Sequence, residues 1–203
     1  HYTATTMGAE LYLSNVPLFD PVSFPFLAYA AFCLGRWVLG EDRPAGIVVL
    51  SGVMMMLLDV VIDPLAVRGD RWFLGRVFYY PEPGAYFGVP LSNFAGWMIV
   101  GWGIVGGYVW SMGRGGRGAP GRGRAPALGK AVGPGVALYY AVLLFNVAIT
   151  ISIGEWWLLS AGILVHGAGF LILYGLSAAS TSRRRRAEPE RDPAASRAGS
   201  TSH

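Results

Sequence analysis

The chain has 203 residues, of which 53% are hydrophobic and only 14% are charged, and it contains 29 glycines. This composition indicates an integral membrane protein. The net charge of +4 comes from basic residues grouped beside apolar segments, so it indicates membrane topology and not nucleic-acid binding. The single cysteine, Cys33, excludes an intramolecular disulfide and a cysteine-based zinc site.

Five segments are long and apolar enough to cross a bilayer core of about 30 Å, which takes roughly 20 helical residues. In chain order they cover residues 22–40, 45–67, 89–112, 135–153 and 156–178. The predicted fold is therefore all-α, a polytopic transmembrane helix bundle. Residues 1–180 form the membrane-embedded domain, and residues 181–203 are predicted to form a flexible basic tail.

The chain opens with His1 and not with Met, and residues 2–20 lack a signal-peptide pattern. We expect it to be the body of a longer protein that has further spans upstream. The number of predicted spans is then a lower bound.

Basic residues predict which ends of the spans face the cytoplasm. The connection 113–133 contains five basic residues and no acid, and four arginines at 183–186 follow the last span. The positive-inside rule places both regions, and with them the C-terminus, in the cytoplasm. The connections that follow the second and fourth spans then face outward.

Two aspartates, Asp59 and Asp63, lie in the apolar second span, where an ionised carboxylate is costly. Their i, i+4 spacing puts both side chains on one face of a helix, where they can share a proton or a ligand. Pro64 allows a simpler interpretation of Asp63, as a residue at a helix end that reaches water. This interpretation does not cover Asp59, which lies a turn deeper.

The connection from residue 69 to Gly88 contains seven aromatic residues together with glycines and prolines, which predicts a shaped segment over the end of the bundle. By topology, Asn93 at the start of the third span lies at the depth of the aspartates, and Glu155 at the start of the fifth span lies on the same side of the membrane. We expect all four polar residues to converge there. Further along the third span, the spacing of Gly103 and Gly107 predicts a close contact between helices.

Several of these motifs resemble, in order and spacing, those of the integral-membrane carotenoid biosynthesis family, whose characterised members are carotenoid 1′,2′-hydratases of the bisanhydrobacterioruberin and γ-carotene types. The resemblance covers roughly residues 1–178, without the upstream spans that such proteins usually have. It rests on these motifs: His1-Tyr2-Thr3, Val16-Pro17, Asp59-x-x-x-Asp63-Pro64, Gly69-x-x-Trp72, and Tyr86-Phe-Gly-Val-Pro-Leu-x-Asn93-Phe-x-Gly96-Trp97.

The resemblance implies acid-catalysed addition of water to the terminal 1,2 double bond of an acyclic carotenoid, through a tertiary carbocation and without a cofactor or metal. One carboxyl group must donate a proton and a second must accept one, as two coupled carboxyls can. We assign donation to Asp59 and acceptance to Asp63, although the reverse order is open. Asn93 would orient water or an acid, and Glu155 is a further catalytic candidate. Four aromatic residues would bind the substrate and stabilise the cation with their rings: Trp72, Tyr86, Phe87 and Trp97.

The partners implied by this resemblance are a lipophilic carotenoid drawn from the bilayer, membrane lipid and other carotenoid enzymes, with no nucleic acid. Two other functions remain open. An intramembrane prenyltransferase would use Asp-x-x-x-Asp to bind Mg²⁺ and a diphosphate. A proton-coupled transporter would use the same carboxylates as a proton relay.

Overall fold

The computed structural model describes residues 12–13, 16–73, 75, 78–115 and 132–187. Within them the fold is all-α, as predicted. The helices are α1 (Phe19–Leu39), α2 (Pro44–Ala66), α3 (Leu91–Gly115), α4 (Val132–Ser152) and α5 (Trp156–Ala187). Two short antiparallel strands, β1 (Tyr12–Leu13) and β2 (Val16–Pro17), precede α1, and a 3₁₀ turn (Gly69–Arg71) follows α2.

In the described part of the chain, four helices have the length and apolar composition of a membrane span, and they lie in α1, α2, α4 and α5. The third predicted span coincides with α3, which is long enough but less apolar. Its 25 residues include seven glycines and three tryptophans, which lower its hydropathy. A membrane crossing by α3 therefore stays a prediction.

The predicted basic tail and the predicted basic connection between the third and fourth spans both lie partly outside the described residues. Helix α5 extends to Ala187, so the first seven residues of the predicted tail, 181–187, are helical. Residues 188–203 and residues 116–131 of the basic connection lie outside the description.

Helix α2 is central in the bundle, with α1 and α3 packed most extensively against it and with further contacts to α4 and α5. The main core forms around fully buried side chains such as Leu34, Met55 and Leu58. Apolar side chains on α5 face outward, among them Trp157 at 84% and Leu164 at 72% exposure. A hydrocarbon solvent accepts such a surface without cost, which supports a membrane environment.

The two ends of the bundle differ. Residues 67–90 and 153–155 connect helices at one end, which we call the loop end. Residues 40–43 connect α1 to α2 at the opposite end, which we call the far end. The C-terminal turn of α2 and the first turn of α3 therefore meet at the loop end.

A pair of glycines allows α2 and α3 to approach each other closely. A Cβ added to Gly101 would lie 2.9 Å from Cα of Gly52, and one added to Gly52 would lie 2.2 Å from the indole of Trp102. The Trp102 indole N–H donates a hydrogen bond of 3.1 Å to the Val49 carbonyl. The position of α3 along α2 is therefore fixed by backbone contact and by this hydrogen bond.

The prediction for Gly103 and Gly107 was wrong in its choice of glycines. Among the described residues, nothing lies within 4 Å of a Cβ added at either position. At 3.6 residues per turn, Gly103 lies about 200° around the helix from Gly101 and so faces away from α2. The spacing of small residues was recognised in the correct helix but on the wrong face.

Because Gly101 packs against α2 and Gly103 does not, replacement by alanine should affect stability differently at these two positions. Gly101→Ala should lower the thermal unfolding temperature in detergent, because its methyl group would push α3 away from Gly52. Gly103→Ala is the matched control and should leave that temperature unchanged or raise it, since alanine in an open helical position stabilises by roughly 0.5–1 kcal/mol. A larger loss of stability for Gly103→Ala than for Gly101→Ala would contradict this packing.

Candidate active site

Both aspartates are buried inside the last turns of α2. Asp59 has no exposed surface and Asp63 is 6% exposed. The helix continues through Pro64 to Ala66, and the backbone N–H of Val67 donates to the Asp63 carbonyl at 3.1 Å. Asp63 is therefore part of a complete helical turn and not a frayed end in water, so the simpler interpretation of Asp63 does not apply.

The Asn93 side chain joins the two aspartates. Its Nδ2 donates to Oδ2 of Asp59 at 2.8 Å and to Oδ2 of Asp63 at 2.7 Å, which uses both hydrogens of the amide. The structure thus brings together the three residues that were expected to meet from α2 and α3, and we call them the carboxyl site.

Tyr80 is a fourth member of the carboxyl site, which the sequence analysis did not identify. Its hydroxyl donates to Oδ2 of Asp63 at 3.3 Å. The available signal was its polar tip, because tyrosine combines an apolar ring with a hydroxyl that seeks a partner when buried. Among seven aromatic residues in one connection, however, the sequence does not indicate which ring turns inward.

The two carboxyl groups differ in the hydrogen bonds that their oxygen atoms accept. Oδ2 of Asp63 accepts hydrogen bonds from Asn93 and from Tyr80. Oδ1 of Asp59 is buried and has no hydrogen-bond partner among the described residues. Donors favour an ionised oxygen, so the surroundings of Asp63 suit a carboxylate better than those of Asp59 do.

An apolar cavity of about 380 Å³ adjoins the carboxyl site. Tyr80 and Asn93 both line it, and so do Trp97 and Phe24, whose ring centroids lie 4.6 Å apart. The polar groups therefore stand between this cavity and the aspartates. Of the four aromatic residues predicted to bind substrate, Trp97 lines the cavity wall.

The other three aromatic residues predicted to bind substrate lie elsewhere in the connection between α2 and α3. They are Trp72, Tyr86 and Phe87. Trp72 packs edge-on against Phe73, with ring centroids 5.0 Å apart. Tyr86 packs against Phe87 and Phe94, with centroid distances of 4.9 and 5.4 Å. Burial raises the pKa of the Tyr86 hydroxyl, which keeps it neutral. Their role as substrate contacts stays a prediction.

A tight hairpin turn carries Tyr86 and Phe87. The backbone N–H of Val89 donates to the Tyr86 carbonyl at 2.9 Å, and the N–H of Tyr86 donates back at 3.2 Å. The two central residues, Phe87 and Gly88, have φ angles of 48° and 93°, as two-residue hairpins require. A bulky residue at positive φ is strained, so the surrounding contacts must hold Phe87 in place.

Two arginines after α2 bind Glu155, and one of them, Arg68, also contacts the hairpin. Arg68 donates to the Phe87 carbonyl at 3.3 Å and forms an ion pair with Glu155 at 3.3 Å. Arg71 pairs with Glu155 at 2.6 Å and also donates to the Ile153 carbonyl. The start of α5 is thereby tied to the end of α2.

We expected Glu155 to converge with the aspartates. Its described contacts are instead with the two arginines. It lies at the predicted end of the bundle, but its carboxylate pairs with cations that follow α2. Topology alone placed it at the loop end and could not account for the nearer arginines. Within the described residues, no third His, Cys, Asp or Glu joins the two aspartates to form a group of metal-ligand type.

The geometry as a whole suits proton transfer beside an apolar compartment. Two buried carboxyl groups can hold one proton between them, because burial of two adjacent negative charges is unfavourable. An amide fixes their orientation, and a phenol connects one of them to the cavity wall. This arrangement can donate a proton to an apolar molecule and take one back.

Comparison with known proteins gives two results. A family model described as "Carotenoid biosynthesis protein" matches residues 1–168. A bisanhydrobacterioruberin hydratase of Haloarcula japonica is 33% identical over 105 residues, which are 49% of this chain and 33% of that relative. The match thus spans about one third of the relative's length. No solved structure matches the chain. Since the family model covers most of its length, this chain belongs to the carotenoid biosynthesis protein family.

Proposed function

We propose that this protein hydrates the terminal 1,2 double bond of an acyclic carotenoid to give a tertiary alcohol. The observation that carries the proposal is the carboxyl site, in which one amide holds two buried acids beside an apolar cavity. The 33% identity to a hydratase supports the same reaction class. Burial suits the chemistry, because a carbocation formed in the cavity must meet one water molecule and not bulk solvent.

The reaction begins with proton transfer from the carboxyl site to the alkene. An acid O–H bond breaks as a C–H bond forms at the less substituted carbon, which leaves a tertiary cation. A water molecule then forms the C–O bond, and its extra proton passes to the second carboxyl group. Transfer of one proton between the two carboxyl groups restores the starting state, with no net gain or loss of electrons.

The different surroundings of the two acids support one division of roles. Asp59, with no exposed surface and an Oδ1 without a partner among the described residues, carries the proton at the start. Asp63 is ionised, because Asn93 and Tyr80 both donate to it. Asp59 is then the donor to the alkene, whose end group must pass Asn93 to reach it, and Asp63 accepts the proton of water.

Tyr80 connects Asp63 to the cavity. Its hydroxyl oxygen takes a proton from the attacking water while its own proton moves to Oδ2 of Asp63, over the hydrogen bond of 3.3 Å. Trp97 and Phe24 line the same cavity, and their rings stabilise the cation as aromatic rings stabilise other cations.

The overall reaction is tested by expression in a lycopene-producing host grown in oxygen-18-labelled water, followed by mass spectrometry of the pigments. We expect a product that has gained one labelled water per reacting end. A hydroxyl without label would indicate an oxygenase, a product heavier by a prenyl unit would indicate a prenyltransferase, and an unchanged pigment profile would favour a transporter. Each of these three results contradicts hydration.

Replacing either acid should abolish most of the activity. Asp59→Asn and Asp63→Asn keep the side-chain size and remove the acid, so each should lower the hydration rate by at least about 10²-fold, as is usual for loss of a general acid or base. Glu82→Gln in the α2–α3 connection is the matched control, because Glu82 is exposed. Rates within tenfold of wild type for both aspartate variants would refute their roles.

Adjacent tyrosines allow a second matched test. Tyr80→Phe removes the hydroxyl bound to Asp63 and should lower the hydration rate by about tenfold or more, with the thermal unfolding temperature little changed. Tyr79→Phe is the control, because Tyr79 is 43% exposed. Equal rates for the two variants would show that the Tyr80 hydroxyl is not part of the proton path.

A further inference from the structure

Three cavities follow one another along the interface of α1 and α3. The first, of about 380 Å³, adjoins the carboxyl site. The second, of about 360 Å³, lies between Pro25 to Phe32 of α1 and Ile104 to Tyr108 of α3. The third, of about 190 Å³, shares Phe32 and Tyr108 with the second and reaches Met112. Together they form what we call the α1–α3 groove, which runs from the loop end to the far end.

The groove exists because α1 and α3 both pack on α2 and contact each other much less. Aromatic pairs reach across it at two levels. Phe24 contacts Trp97 with ring centroids 4.6 Å apart, and Phe32 contacts Tyr108 at 5.3 Å. Phe32 and Tyr108 line both the second and the third cavity, whereas Phe24 and Trp97 line the first, so the groove presents aromatic surface along its length.

Its length matches that of a bilayer core. The α3 wall runs from Asn93 to Met112, which at 1.5 Å per residue is about 28 Å. The hydrocarbon core of a membrane is about 30 Å thick. An extended molecule in the groove would therefore have its two ends near opposite faces of that core.

The two ends of the groove are polar, whereas its middle is apolar. At the loop end it meets Tyr80 and Asn93 of the carboxyl site. At the far end it meets Arg36, whose side chain is only 10% exposed, pairs with Glu41 and lies 5.6 Å above the Phe32 ring. A guanidinium at this position can donate a hydrogen bond to an oxygen at the end of a long molecule.

We propose that the α1–α3 groove holds the polyene of one carotenoid along its length, with the reacting end group at the carboxyl site and the other end group beside Arg36. This inference rests on the proposed function and extends it by assigning the binding site of the whole substrate. A phospholipid acyl chain fits less well, because it offers no conjugated system to the aromatic pairs. Binding of such a chain is an alternative outcome of the test.

The proposal is tested by filling the middle compartment. Ile104 is half-buried and lines it, whereas Ile99 on the same helix is 61% exposed on the outside of the bundle. In an Asp59→Asn background, which removes turnover, lycopene that co-purifies with the protein is measured by absorbance per mole of protein. We expect Ile104→Trp to lower it at least fivefold and Ile99→Trp to leave it unchanged. Equal pigment content for the two variants, or lipid as the retained molecule, would overturn the proposal.

Turnover separates this proposal from the proposed function. With the aspartates intact, hydration of lycopene is compared with hydration of myrcene, a short hydrocarbon with the same terminal double bond. Ile104→Trp should lower the ratio of lycopene to myrcene turnover at least tenfold, because the short substrate needs the first compartment only. An unchanged ratio would overturn the groove assignment while leaving hydration intact. Wild-type protein that hydrates neither compound would instead refute the hydratase, and the pigment measurement would still test the groove.

If Ile104→Trp does not accumulate in the membrane, Ala28→Leu fills the same compartment from the α1 wall with a smaller side chain. The expected direction is the same in both measurements. Pigment content and turnover ratio equal to wild type in a folded Ala28→Leu protein would also contradict the proposal.

Discussion

Burial of two carboxyl groups one helical turn apart is unfavourable unless donors reach them, and the loop end of the bundle is organised around that requirement. A single amide, Asn93, contacts both acids, so α3 must begin at one depth and with one rotation relative to α2. The Gly52–Gly101 contact fixes the same relation two helical turns further along α3. Polar and steric constraints thus agree on how these two helices pack, and an error in either would separate Asn93 from the aspartates.

The connections at the loop end are held together by contacts outside the carboxyl site. Arg68 and Arg71 follow α2 directly, and they bind the hairpin that carries Phe87 and the turn that carries Glu155. Three separate parts of the chain are therefore connected through two cations at the loop end. The positive φ of Phe87 indicates that the hairpin is held in this shape by its surroundings and not by local preference.

The helices and the buried acids could be predicted from the sequence, whereas the rotation of α3 and the contacts of the loops could not. Apolar length located all five helices, and burial of a charge in an apolar segment identified Asp59 and Asp63. The position of Asn93 at the start of α3 was enough to place it near them. The rotation of α3 about its axis was not encoded in the spacing of Gly103 and Gly107, because several glycines on that helix offer alternative faces. The inward turn of Tyr80 and the ion pairs of Glu155 depend on a loop conformation that no periodic pattern describes.

The close contact between Gly52 and Gly101 has a mechanical consequence. Since the backbones of α2 and α3 touch, these helices move as one body, and the wall that bears Asn93 cannot separate from the acids it holds. The opposite wall is α1, which has weaker contact with α3 and joins α2 through residues 40–43 at the far end. Any widening of the groove between them must come from α1, so the chemistry rests on a fixed frame while the opposite wall adapts.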